Sequence, residues 1–206
     1  MRKLRKKLFI IVPCIIILCI IGYFIIYNNT YTIADNKVEI QNALMRFINK
    51  PTVITKEIVI KQSVDIDNKK YVLLINTNSI NNYQYFDDAE LTRGISKRYR
   101  IEQIGMSGSR NFAYEVITTN KGKYFIIMGE NPDVKISNVK IKLDNKYYNI
   151  KIPKQRYFIA YEPVSKNTKS MFPEFNSLRF YDKNNKDITE EMFNFKSITF
   201  VHRLIN

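Results

Sequence analysis

Residues 8–27 form an unbroken stretch of twenty residues without a charged side chain. The residues before this stretch are strongly basic and include Arg2, Lys3, Arg5, Lys6 and Lys7. A helix of this length, at about 1.5 Å per residue, covers the roughly 30 Å hydrocarbon core of a bilayer. Because Lys and Arg are enriched on the cytoplasmic side of membrane helices, residues 1–7 are expected to be a cytoplasmic basic foot. The pattern predicts a single-pass protein of the cell membrane, with its C-terminal part outside the cytoplasm.

A cleavable signal peptide is the alternative interpretation of this stretch. Such peptides have an apolar core of about 7 to 15 residues followed by small residues at the cleavage site, whereas residues 8–27 are longer and end in Tyr27. The nearest weak cleavage pattern lies at residues 32–34. Lipoprotein cleavage before Cys19 is disfavoured because the bulky Leu18 precedes it. We therefore expect the apolar stretch to be retained as a signal anchor.

Both cysteines of the chain, Cys14 and Cys19, lie within the apolar stretch. Five helical residues turn them about 140° apart, so they are not placed to bridge each other. We interpret them as small apolar side chains, and a disulfide between two copies of the helix is the alternative. The exported part then has no disulfide, and burial of apolar side chains in about 180 residues has to stabilise it.

The exported part carries an excess of positive charge. The chain has 33 Lys and Arg against 19 Asp and Glu, and its first 27 residues hold five of the basic residues and no acidic one. A net charge of +9 outside the membrane favours anionic partners: lipid headgroups, an anionic wall polymer or an acidic protein. Nucleic acid is not expected on that side of a membrane. Codon bias of an AT-rich genome is a second explanation for the many lysines.

Residues 28–35 are polar and predict a short spacer after the apolar stretch. The next segment has apolar residues at helical spacing, namely Ile40, Ala43, Leu44, Phe47 and Ile48. Asn36 and Glu39 form a capping-box pattern before it, and Pro51 is expected to end the helix. We predict an amphipathic helix that packs on the following sheet, with binding of its apolar face to a partner or a membrane as the alternative.

From residue 54 the apolar pattern changes from the helical period to alternation, which indicates strands. Turn residues divide the strands into three hairpins: 54–66 with 71–75, 112–119 with 123–128, and 139–143 with 147–152. Further strands are predicted at 156–161, 178–181 and 197–204, with a short helix at 187–193. Hairpins of this kind build antiparallel sheets.

The expected fold is α+β and β-rich, with an N-terminal transmembrane helix, an amphipathic helix and a mainly antiparallel sheet. Residues 36–206 make up the predicted extracytoplasmic domain. This domain is expected to be sandwich-like or to consist of two small lobes. In the second case, the turn-rich residues near 129–135 mark the boundary between the lobes.

The exported part carries no catalytic or metal-binding motif. It contains no Cys, which excludes Cys nucleophiles and the usual zinc sites, and His202 is its only histidine. We interpret His202 as a strand residue, with a role as general base as the alternative. The loop 107–109 lacks the spacing of a nucleophile elbow or a P-loop, although a Ser-Lys pair stays open. Residues 182–187 lack the central Gly of a calcium loop. Neither a cofactor nor a metal is expected.

Three carboxylates lie close together in sequence at Asp87, Asp88 and Glu90. Two carboxyl groups about 5 to 10 Å apart can hydrolyse a glycosidic bond when burial raises one pKa. The simpler interpretation is the acidic first turn of a short helix that ends at Gly94. We prefer the simpler interpretation and assign no catalytic residue.

The candidate binding residues lie within one basic segment and are Arg93, Lys97, Arg98, Tyr99 and Arg100. In a strand, Arg98 and Arg100 would share one face, and Lys97 and Tyr99 the other. Arginine pairs bind phosphate through two parallel hydrogen bonds, so the expected ligand is a polyanion. A solvated strand face is the alternative.

These observations predict a non-enzymatic binding or accessory module that is anchored at the outer membrane face. A short tether would hold its recognition surface close to the bilayer, where confinement raises the effective concentration of partners. The alternative function is a membrane-anchored, wall-facing hydrolase that uses carboxylates or a Ser-Lys pair.

Overall fold

The computed structural model describes residues 2–49, 55–78, 84–105, 112–174 and 176–194. In these ranges the chain forms three α-helices and ten β-strands. All strand pairings of the three sheets are antiparallel. The predicted α+β, β-rich architecture is confirmed. The predicted strand at 197–204, His202 within it and the helix stop at Pro51 lie outside the described residues.

The first helix, α1, spans Arg2–Thr30 and continues through Pro13. Its segment Val12–Thr30 is long and apolar enough to cross a membrane, and none of that segment is buried in the protein. The helix extends three residues into the predicted spacer. The hydroxyl of Thr30 supports this last turn by donating to the carbonyl oxygen of Ile26 at 2.8 Å.

The second helix, α2, spans Lys37–Ile48 and confirms the predicted amphipathic helix. The side-chain oxygen of Asn36 accepts from the backbone N–H of Glu39 at 2.8 Å, as an N-cap does. The apolar residues of the helix that are buried, Ile40, Ala43 and Leu44, pack on the first sheet. Packing against the sheet was the preferred interpretation of this apolar face.

The first sheet has the order β1-β2-β3-β4, with the strands Thr55–Ile66, Lys69–Asn78, Gln84–Arg93 and Tyr99–Ile104. A two-residue turn at Asp67 and Asn68 joins β1 to β2, and Asp67 adopts a φ of 56°, which Asp tolerates. The expected short helix before Gly94 is wrong. Those residues form β3, because β3 pairs with β2 along its length and the ladder satisfies its backbone groups.

Two further sheets complete the fold. The second sheet has the order β5-β6-β9, with the strands Phe112–Thr118, Lys123–Glu130 and Tyr157–Val164. The third has the order β10-β7-β8, with the strands Arg179–Tyr181, Asn138–Leu143 and Lys146–Lys151. The short helix α3 spans Thr189–Asn194. All three predicted hairpins are confirmed by strand pairing.

Strand β2 is buried on both faces. Val72 and Leu74 pack with α2, whereas Tyr71 and Leu73 pack with side chains of the second sheet. Because successive residues of a strand point to opposite faces, a strand between two layers needs apolar residues at every position. This explains why residues 71–75 of β2 are continuously apolar.

Strand β6 has the same environment one layer further on. Ile126 and Met128 face the first sheet, and Phe125 and Ile127 face the third. The protein core is therefore a stack of α2 and three sheets, in which the second sheet has an apolar cluster on each side. A division into two lobes near residues 129–135 stays a prediction.

The layered core can be tested with two methionines of different burial. Met128 is fully buried between the first and second sheets, whereas Met171 is 60% exposed. We expect Met128→Ala to lower the free energy of unfolding by about 2–5 kcal/mol, because it leaves a cavity. Met171→Ala should change it by about 0.5 kcal/mol or less. Denaturant unfolding of the full chain in detergent, followed by tyrosine near-UV circular dichroism, measures both, and equal effects would contradict this packing.

Candidate functional site at the junction of the apolar helix and the first sheet

The chain leaves α1 and immediately joins the first sheet. The backbone N–H of Ile33 donates to the carbonyl oxygen of Tyr99 at 3.1 Å, and the N–H of Tyr99 donates to the carbonyl oxygen of Ile33 at 2.8 Å. Ile33 is buried in the cluster formed by α2 and the first sheet. This bridge lies on β4, the edge strand of that sheet. The chain is therefore hydrogen-bonded to the sheet at Ile33, three residues after α1 ends at Thr30.

A polar network around Tyr99 strengthens this connection. The buried Tyr99 donates its hydroxyl hydrogen towards Asp65 at 3.0 Å, with Asp35 at 3.4 Å. Lys70, whose side chain is only 8% exposed, pairs with Asp65 at 2.9 Å and with Asp35 at 3.2 Å. Its ammonium group lies 5.3 Å from the centre of the Tyr99 ring. The network joins the spacer to β1, β2 and β4. It also places two carboxylates beside the buried ammonium group of Lys70, so that its charge is compensated.

The same network raises the pKa of the Tyr99 hydroxyl. Burial is the largest cause, because it disfavours the phenolate, and the hydrogen bond to Asp65 and the negative charges of Asp65 and Asp35 act in the same direction. Tyr99 therefore stays protonated through the neutral range and keeps donating to the carboxylate.

The end of α1 rests against the turn between β3 and β4. The rings of Tyr27 and Tyr31 stack with their centres 4.6 Å apart. The backbone N–H of Ser96 donates to the Tyr27 hydroxyl oxygen at 3.4 Å. A Cβ atom at Gly94 would lie 2.1 Å from the Tyr27 hydroxyl oxygen and 2.8 Å from the Tyr31 ring. Only glycine leaves room for the two tyrosines at this position.

The predicted binding residues surround this turn, but they have two different roles. Arg98 donates to the carbonyl oxygen of Thr32 at 3.1 Å. The Arg100 side chain donates to Glu102 at 2.8 Å, which raises the pKa of the guanidinium, and lies 5.3 Å from the centre of the Tyr31 ring. These two arginines hold the turn, the spacer and the helix end together.

Arg93 and Lys97 are exposed and make no ion pair within the ranges that the structure describes. Lys97 belongs to the turn and has a φ of 61°, whereas β4 begins at Tyr99. The expectation that Lys97 and Tyr99 share a strand face is therefore wrong. Tyr99 points into the core because its ring completes the apolar cluster beneath α2.

Several residues of the junction were missed by the sequence analysis. Tyr27, Tyr31 and Gly94 form the contact itself, and the side chain of Ile95 is 86% exposed at the tip of the turn. The two tyrosines at the end of the apolar stretch were the available signal, because aromatic residues are enriched at membrane interfaces. Their contact with residues more than 60 positions away could not be inferred from local sequence.

The carboxylates of β3 do not form a paired site. Asp87 and Asp88 point to opposite faces of the strand, because successive residues alternate. Glu90 is buried, pairs with Lys69 and accepts from the Tyr71 hydroxyl at 3.2 Å. Burial and then the charge of Glu90 raise the pKa of Tyr71. Glu90 is thus held by two structural partners between the first and second sheets.

Other candidate groups give no site in the described part of the chain. Ser107 and Ser109 lie outside it, as does His202. Among the residues that the structure describes, no group of three or more His, Cys, Asp or Glu side chains is arranged to hold a metal ion. The side-chain oxygen of Asp182 accepts from the backbone N–H groups of Asn184 and Lys186, both at 2.8 Å, so these residues form a turn and not a calcium loop.

Comparison of the chain with protein-family models, curated proteins and solved structures gives no match. The function is therefore inferred from the junction and from the distribution of charge around it.

Gly94→Ala should loosen the junction, because the added methyl group collides with Tyr27 and Tyr31. We expect hydrogen exchange of the Ile33 and Tyr99 amides to accelerate by about tenfold, which corresponds to about 1.4 kcal/mol. Mass-spectrometric exchange on the full chain measures this change. Gly122→Ala is the control, since its Cβ would meet only Tyr124 at 4.0 Å. Unchanged exchange in the Gly94 variant would show that the contact does not hold the junction.

Proposed function

We propose that the protein is a single-pass membrane protein whose extracytoplasmic, β-rich domain is a non-enzymatic binding or accessory module. We further propose that the turn between β3 and β4 binds the phosphate groups of anionic lipids at the outer membrane face. The single observation that carries this proposal is the packing of that turn against the C-terminal end of α1.

The anchoring step is supported by the exposed apolar surface of α1. Its large apolar side chains between Val12 and Ile26 are about half exposed or more, among them Ile16, Leu18, Phe24 and Ile26. A helix that is apolar on all sides needs an apolar environment around it. A bilayer supplies that environment for a helix of this length, and the basic residues before it favour a cytoplasmic N-terminus.

The height of the turn follows from the length of the helix. If residues 8–27 fill the hydrocarbon core, the helix is about 30 Å long over this stretch and reaches the surface of the core at Tyr27. Tyr27 and Tyr31 then lie in the interfacial region, where tyrosine is enriched. The turn that contacts both rings lies at the level of the lipid headgroups.

The side chains of the turn suit that environment. Arg93 and Lys97 are exposed cations, and Arg98 uses one nitrogen on Thr32 while its guanidinium has further donors. Ile95, exposed at the tip, can enter the boundary between headgroups and acyl chains. Each Lys or Arg close to an anionic membrane surface contributes about 1 kcal/mol of attraction.

The site favours a lipid headgroup over a wall polymer or an acidic protein as the ligand of this turn, because a turn that contacts the helix end faces the bilayer. The hydrolase alternative has less support. Asp87 and Asp88 point to opposite faces of β3, and Glu90 is occupied by Lys69 and Tyr71.

The proposed membrane anchoring by α1 and the proposed topology can be tested by cell fractionation and by protease accessibility. The full chain should stay in the membrane fraction after alkaline carbonate extraction, because α1 is integrated in lipid. Protease added outside spheroplasts should digest the domain from its C-terminal end and leave a small protected fragment with the basic foot. Release by carbonate, or protection of the whole domain, would contradict this topology.

Lipid selectivity tests the turn itself. In mixed detergent micelles, the full chain should retain phosphatidylglycerol in preference to phosphatidylcholine, as counted by native mass spectrometry. Arg93→Gln combined with Lys97→Gln removes about 2 kcal/mol of attraction, and we expect phosphatidylglycerol affinity to fall by up to about thirtyfold.

The matched control is Lys166→Gln with Lys169→Gln, two exposed lysines in the loop after β9. It removes the same charge elsewhere, and it leaves the basic foot unchanged. If both double variants lose the same phosphatidylglycerol affinity, the selectivity comes from net charge, and this result would refute a site at the turn.

A further inference from the structure

A second basic site lies on the third sheet. The connections that flank β7, β8 and β10 line a cavity of about 530 Å³ that is open to solvent. Four lysines line it, namely Lys135, Lys154, Lys183 and Lys186. They come from three separate connections of the fold: the one before β7, the one between β8 and β9, and the one after β10. The tertiary structure, and not a basic run in the sequence, brings these four side chains together.

The connection before β7 is held in a fixed conformation. The buried side chain of Asn131 donates to the carbonyl oxygen of Ile136 at 2.9 Å and accepts from the Ile136 N–H at 2.8 Å. Between them, Asp133 and Val134 have φ values of 52° and 56°. A positive φ is unfavourable for a β-branched residue such as Val134, and strained backbone of this kind persists where the surroundings impose it. Lys135 is thus presented by a rigid turn.

The connection after β10 is also preorganised. Asp182 accepts from two backbone N–H groups of its own turn, and the Asp182 N–H donates to the Lys186 carbonyl oxygen at 3.0 Å. Asn185 adopts the left-handed conformation that closes the turn, with a φ of 61°. The backbone positions of Lys183 and Lys186 are therefore fixed before any ligand binds, which lowers the entropic cost of binding.

The charges of the cavity are unequally compensated. Lys135 pairs with Glu191 at 2.5 Å, and the carboxylate of Asp182 is engaged by its turn. Lys154, Lys183 and Lys186 form no ion pair with any residue that the structure describes. Asp133 is the only other acidic residue of the lining. Hydrogen bonds to backbone N–H groups leave the Asp182 carboxylate charged, so four ammonium groups and three carboxylates give the lining a net charge of +1. A concave surface focuses the field of this excess charge.

We propose that this cavity binds an anionic ligand that carries two or more phosphate groups. Lysine is a compact point charge with three donors and is a common phosphate ligand. Ammonium groups from separate connections suit several anionic groups along one molecule better than a single anion. The exposed Val134 and the buried Ile188 at the rim supply apolar contact for the uncharged part of the ligand.

This site is separate from the turn at the membrane helix. The turn belongs to the first sheet and the cavity to the third, with the second sheet between them. Packed sheets lie about 10 Å apart, so about 20 Å of protein separates the two layers. A ligand in the cavity does not compete with lipid at the turn, and loss of one site leaves the other intact.

Isothermal titration calorimetry with tripolyphosphate, on the full chain in neutral detergent at low salt, tests the proposal. We expect binding to the wild-type protein and at least tenfold weaker binding after Lys183→Gln with Lys186→Gln. Lys154→Gln, on a different connection, should weaken binding about threefold to tenfold. Lys183→Arg with Lys186→Arg keeps the charge and should retain binding, which separates a loss of cations from a loss of folding.

Two controls make the result specific. Lys166→Gln with Lys169→Gln has the same spacing and charge change on another loop and should leave tripolyphosphate binding unchanged. Arg93→Gln with Lys97→Gln removes the cations of the lipid-binding turn, so tripolyphosphate binding that persists in this variant comes from the cavity, which separates this proposal from the lipid site. No binding to the wild type, equal losses in all glutamine variants, or citrate binding as tight as tripolyphosphate would overturn the assignment of a phosphate site.

Discussion

The pairing of Ile33 with Tyr99 decides how the domain sits on its helix. Two backbone hydrogen bonds and a buried ring fix the chain to the edge of the first sheet directly after α1. A free spacer would let the domain sample many orientations, whereas this connection restricts them. It holds the exposed turn and its cations next to the C-terminal end of α1, and the proposed contact with lipid headgroups depends on that restriction.

The layered core makes such a connection stable. The first and second sheets bury apolar clusters between them, and the second and third do the same on the opposite face. Because β2 and β6 are covered on both sides, the chain builds an extensive core without a disulfide, and its two cysteines lie in the apolar helix. Both proposed binding sites lie on turns outside this core, held by backbone and side-chain hydrogen bonds.

The residues near the junction show what sequence patterns can and cannot supply. The cap at Asn36 and the turn at Asp67 and Asn68 were predicted because their determinants lie within a few residues. The segment before Gly94 was assigned to a helix because its acidic residues resembled a first turn. Its pairing with β2 is a long-range interaction, and it outweighs that local preference. The burial of Tyr99 has the same origin, since a partner more than 60 residues away in sequence covers it.

The sequence by itself determined the apolar helix, the amphipathic helix and the three hairpins, because hydrophobic period and turn chemistry are local properties of the chain. It also determined the positive charge and the absence of cysteine outside the helix. Only the tertiary structure decided which cations bind another part of the chain, since Arg93 and Arg98 are indistinguishable in sequence but only Arg98 donates to the spacer, at Thr32. It alone gathered Lys135, Lys154 and Lys183 into one cavity. The physical reason is that burial and pairing between distant segments fix where a side chain lies, and no local pattern encodes those partners.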